Sequence, residues 1–119
     1  MNKANPWRRR WLAIPPAMAA LLIAGTGATS GRSEPPRRHE VQIRGMKFQP
    51  AILEVAVGDT VVWINHDIVP HTATAAGKPE WSTDTLIQEQ SGQYVPGRTG
   101  EAPYFCTLHP VMKGKLIIR

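Results

Sequence analysis

The strongest constraint on this chain lies between His39 and Arg119. Apolar residues there fall in short runs broken by turn residues, and no stretch keeps a helical period. Glu40-Val41-Gln42-Ile43-Arg44 alternates polar and apolar with a period of two, the mark of a half-buried strand. Residues 52–57 form a second run, closed by the turn pair Gly58-Asp59. Residues 60–65 (TVVWIN) form a third, rich in β-branched and aromatic side chains. A loop over 66–70 precedes a short strand over 72–75, and the polar, Pro- and Gly-punctuated stretch 77–84 reads as loop. A weak strand over 91–95 stops at Pro96-Gly97. Strands over 102–107 and 114–119 complete the pattern. Strands recurring about every 8–12 residues with turns between them predict an all-β sandwich or barrel. A domain this small buries a modest core, so a bound metal would add to its stability.

The first part of the chain is built differently. Lys3, Arg8, Arg9 and Arg10 are followed by the apolar stretch LAIPPAMAALLIA over 12–24, then by small residues. That order is expected of a secretory signal peptide, here over 1–28, with a linker over 29–38 and the domain over 39–119. The apolar stretch is shorter than the roughly 20 residues a bilayer span needs, and Pro15 and Pro16 interrupt it. Arg8-Arg9-Arg10-Trp11-Leu12 also looks like a twin-arginine export signal, so a periplasmic location is expected. The formal charge of +5 arises mainly here. From Thr29 onward ten Lys and Arg face nine Asp and Glu, and from His39 onward seven face eight. The basic balance therefore carries no indication of nucleic acid.

One cysteine, Cys106, remains in a chain expected to be exported, and it has no internal partner for a disulfide. It opens the stretch Cys106-Thr107-Leu108-His109-Pro110-Val111-Met112, which spaces a thiolate, an imidazole and a thioether at three-residue steps. The soft thiolate suits Cu(I), imidazole suits both copper states, and a long axial thioether tunes the potential. Pro110 fixes its own φ and restricts His109 to extended conformations, which stiffens the loop. A fourth ligand is needed. His71, after Pro70, is the stronger candidate and His66 its rival, while His39 at the linker boundary reads as solvated.

These motifs resemble the cupredoxins, the type 1 blue copper proteins, closest to their amicyanin and plastocyanin-like group. The likeness rests on Met46-Lys47-Phe48-Gln49-Pro50, Val57-Gly58-Asp59-Thr60-Val61-Val62-Trp63-Ile64-Asn65, Pro70-His71, and the stretch from Pro103 to Gly114. The two-residue spacings in Cys-x-x-His-Pro-x-Met are typical of amicyanins. The resemblance implies a Greek-key β-sandwich of about 7–8 strands. It also implies one copper ion, cycling between Cu(II) and Cu(I), held by His71, Cys106, His109 and Met112. His109 would be the partly exposed ligand through which electrons pass, with Leu108, Pro110 and Pro70 forming a docking patch for a redox partner. Asn65 would support the ligand loop. The family usually has Asn after its first ligand histidine, and this chain has Thr72.

The function expected is periplasmic electron transfer between redox partners, by a monomer without a membrane span in its mature form. The alternative is copper storage or delivery without an electron-transfer role. An enzyme is not expected, because copper oxidases and nitrite reductases need further histidine pairs, and a dinuclear electron-transfer site needs a second cysteine. Zinc also takes imidazole and thiolate, but Met112 in fourth place argues against it.

Overall fold

The structure, a computed structural model, describes residues 34–119. The expected signal peptide and the first half of the linker, residues 29–33, lie outside those residues. The described residues form eight strands: β1 (Arg38–Ile43), β2 (Phe48–Gln49), β3 (Ile52–Val55), β4 (Thr60–Asn65), β5 (Thr74–Ala75), β6 (Ser91–Tyr94), β7 (Gly100–Phe105) and β8 (Lys113–Ile118). They make two four-stranded sheets, ordered β2-β1-β4-β6 and β3-β8-β7-β5. The chain passes from one sheet to the other at nearly every connection, and only β1–β2 and β7–β8 join neighbours within a sheet. Each sheet contains one parallel pair, β1 with β4 and β3 with β8. This is the cupredoxin-like β-sandwich that the resemblance implies.

Alternation places the core. In β1, Val41 and Ile43 turn inward while Gln42 between them does not. From the second sheet Val55, Tyr104, Leu116 and Ile118 meet Val41, Ile43, Val61 and Trp63 of the first. Tyr104 packs edge-on against both Trp63 (ring centroids 5.3 Å apart) and Phe48 (4.8 Å). Its phenol lies over Gly114, its register partner on β8. A Cβ at position 114 would come within 2.3 Å of that ring.

Three local features differ from the expectation. The strand expected over 102–107 starts and stops two residues earlier, so Cys106 stands just beyond β7 in the loop. The weak strand before Pro96 pairs with β4 along its whole length, from Tyr94 opposite Val61 to Ser91 opposite Ile64. And β2 exists because residues 44–47 make a two-residue hairpin turn: Gly45 and Met46 both sit at φ 62°, and Arg44 and Lys47 exchange backbone hydrogen bonds.

His39 is a correction. It belongs to β1, and its Nε2 lies 2.8 Å from Asp59 Oδ2. The same carboxylate accepts the N–H groups of Arg37 and Ala56, both at 2.9 Å. Asp59 is buried, and those two amides, followed by the His39 imidazole, hold its carboxyl down at about 2. The start of β1 is thus fastened to the turn before β4.

Candidate metal centre

Cys106, His109 and Met112 share the β7–β8 loop, and His71 reaches the same end from the β4–β5 connection. The loop folds back on itself through two backbone bonds: Met112 N–H donates to His109 O at 2.9 Å, and Cys106 N–H donates to Met112 O at 3.1 Å. His71 is fixed by a reciprocal backbone pair with Leu86, at 3.0 and 2.8 Å. The Asn65 side chain shapes the segment between β4 and His71. Its Nδ2 donates to Val69 O and Leu86 O at 2.9 and 2.8 Å, and its Oδ1 accepts Asp67 N–H at 2.8 Å.

These bonds bring His71, Cys106 and His109 together, with one ligand atom from each lying within 4.8 Å of the others. Cys106 Sγ is 3.7 Å from His71 Nδ1 and 3.8 Å from His109 Nδ1. Bonds of ~2.3 Å to sulfur and ~2.0–2.1 Å to nitrogen, lengths typical of a divalent metal such as zinc, would let one ion span such a pair. The donor set therefore has the spacing a single shared ion requires. Cys106 and His71 are fully buried, Met112 is buried in the same core cluster, and His109 alone is partly exposed. His66 stays out of the cluster; its ring faces Gln42 and Glu89.

A neighbouring carboxylate settles the tautomer of His71. With Nδ1 turned to the sulfur, Nε2–H donates to Asp67 Oδ2 at 2.9 Å. Asp67 in turn accepts Gly45 N–H and Met46 N–H at 2.8 and 2.9 Å, the two amides of the β1–β2 turn. Burial raises the Asp67 carboxyl, but the Met46 and Gly45 amides and the His71 ring outweigh it and hold it below the usual carboxylate range. The sequence reading missed Asp67. Its signal was an acid four residues before His71, a spacing that acquires meaning only once the loop is known to turn back.

Thr72 joins the loop of His71 to that of Cys106. Its N–H points at Cys106 Sγ, 3.3 Å away. Its Oγ1 accepts Thr107 N–H at 3.0 Å and lies 3.0 Å from the hydroxyls of both Thr107 and Thr74. Leu108, Pro110 and Val111, next to His109 in the chain, are exposed, as are Ile68, Val69 and Pro70 before His71.

A family model described as copper binding proteins, plastocyanin/azurin family, matches residues 37–119. Amicyanin from Paracoccus denitrificans is 35% identical over 82 residues, 66% of this chain and 63% of that protein, so the match spans less than two thirds of the relative. Amicyanin-alpha from Methylorubrum extorquens is 31% identical over 107 residues, covering 86% of this chain and 90% of the relative. Among solved structures, the Cu(I) form of a methionine-to-alanine variant of amicyanin superposes with a TM-score of 0.65 at 31% identity, over 69% of this chain and 82% of the other. An oxidised proline-to-alanine variant gives the same score and coverage at 32% identity. The fold, the donor set and these likenesses agree on copper as the cofactor, and the chain belongs to the plastocyanin/azurin family of copper-binding proteins, the cupredoxins, as an amicyanin-like member.

Proposed function

We propose that His71, Cys106, His109 and Met112 would hold one copper ion, and that the protein is a blue-copper electron carrier exported to the periplasm. When bound, the copper supplies a one-electron couple between Cu(II) and Cu(I). The observation that carries this reading is the Sγ–Nδ1 spacing of 3.7 and 3.8 Å, already that of a shared ion. Side chains so placed need little rearrangement to serve either oxidation state. Asp67 and Asn65 keep the imidazole of His71 oriented, and Thr72 presents an amide to the thiolate. Burial of Cys106 and His71 excludes water from the thiolate side.

His109 is the residue through which electrons pass. It is partly exposed, and so are its apolar chain neighbours Leu108, Pro110 and Val111 and, beside His71, Pro70. Such a surface favours brief docking of a redox partner that leaves once the electron has crossed. The carrier role also fits the absence of a second cysteine or a further histidine cluster among the described residues. Copper storage or delivery is the competing role, and voltammetry separates the two. The copper-loaded protein should give a reversible one-electron response, and Leu108→Glu should slow its exchange with a protein partner without moving the potential. Copper that binds but cannot be cycled would leave storage or delivery as the function.

A further inference from the structure

A row of aromatic rings crosses the sandwich away from His109. Tyr104 lies two residues before Cys106, so both side chains enter the core from the same face of the strand. Its ring meets Trp63 at 5.3 Å between centroids. Trp63 stacks on Trp81, again at 5.3 Å, and Trp81 stacks on Tyr94 at 4.3 Å with the planes only 13° apart. Trp63 and Tyr104 are fully buried, whereas Trp81 and Tyr94 are half-exposed. Trp81 is the unexpected member, an indole in an otherwise polar loop. A bond from Ala75 N–H to Trp81 O (2.8 Å) holds it in place, and Ala75 is the register partner of Tyr104.

Building on the copper reading above, we propose that Tyr104, Trp63, Trp81 and Tyr94 form a second electron path, which refills an oxidised surface ring from the copper centre. Indole and phenol are the side chains most readily oxidised by one electron, and transfer rates fall steeply with distance. Near-contact rings divide a long crossing into short ones. A strong one-electron oxidant that strikes Trp81 gains one electron and leaves the indole one short with its proton retained; at Tyr94 the half-exposed phenol gives its proton to water as it loses the electron and takes one back when refilled. Trp63 passes an electron outward and is refilled across Tyr104 from Cu(I), which ends as Cu(II), and every ring returns to its starting form. Trp63 Nε1 and Tyr104 Oη have no hydrogen-bond partner among the described residues. An oxidised Trp63 therefore keeps its proton and is restored by one electron alone, whereas the phenol of Tyr104, with no acceptor for its proton, stays reduced and serves as the packed bridge between Trp63 and the Cys106 end of the core.

The test places a ruthenium photo-oxidant on a histidine at Thr99→His, an exposed position sharing a surface cleft with Tyr94. After a flash, the growth of the Cu(II) absorption is followed in the Cu(I) protein. In the copper-free protein, the appearance of the oxidised-indole absorption is followed instead. Trp81→Phe keeps a stacked ring but removes the oxidisable one, so a packing role alone predicts no change. The proposal predicts at least fivefold slowing of both signals in Trp81→Phe, with an unchanged static spectrum, and the same slowing in Trp81→Leu. Less than fivefold slowing in Trp81→Phe overturns it. A protein that never turns blue fails the copper reading instead, and the copper-free signal then decides the path alone.

Discussion

The Asp67 carboxylate stands between the imidazole of His71 and the amides of Gly45 and Met46, so a hairpin turn far away in sequence helps to orient a residue of the proposed copper site. Partners of this kind around a metal-binding histidine are typically worth about 10–100-fold in metal affinity. Asp67→Asn should weaken copper binding by about that range in a competition titration, while leaving the fold intact. Affinity equal to the parent's would show that His71 needs no such partner. Thr72 offers a second residue-level prediction. Thr72→Val keeps the shape but removes the acceptor of the partly buried Thr107 N–H, which should cost about 0.5–1.5 kcal/mol in urea unfolding of the copper-free protein. Thr72→Ser, which keeps the hydroxyl, should recover most of that loss. Cys106 and His109 were legible in the sequence because their chemistry is rare and their spacing tight; His71, far off in the chain and with His66 as a rival, was harder to single out, and the structure groups all three. Asp67 and the bonds of Thr72 were not legible, because both depend on which loops meet in space.

Among the elements, β7 and β8 carry the most, since the loop between them supplies Cys106, His109 and Met112. Their register sets Gly114 under the ring of Tyr104, and that close approach leaves no room for a side chain. Gly114→Ala should therefore destabilise the protein by about 1–3 kcal/mol through overpacking, read as a lower Tm or urea midpoint. An unchanged midpoint would mean that the ring can move aside at no cost. The strands with β-branched and aromatic runs, above all β4, were plain in the sequence. β6 was faint because Ser91-Gly92-Gln93-Tyr94 carries little β-propensity; pairing with β4 makes it a strand. β2 is two residues long and hangs on the turn at Gly45 and Met46, too little for any periodicity to register.

At the scale of the whole molecule, the sandwich has fastenings at two places, the ligand loops and the Asp59 cluster. Asp59 is held at about 2, below its ordinary 3.8, so its bonds to Arg37, Ala56 and His39 favour the folded state at neutral pH. That stability is fully present above roughly pH 4 and is lost as the pH falls toward 2. Thermal unfolding followed from pH 6 down to 2 should show Tm falling most steeply in that window, and Asp59→Asn should flatten the fall. An equally steep fall in the variant would assign the acid sensitivity to other carboxyls. The measurement closest to the central claim is the visible spectrum of the protein on adding Cu(II), beside that of Cys106→Ser. The account predicts an intense blue band that vanishes on reduction and never forms in the variant. A colourless copper complex, the same with and without the thiolate, would contradict it.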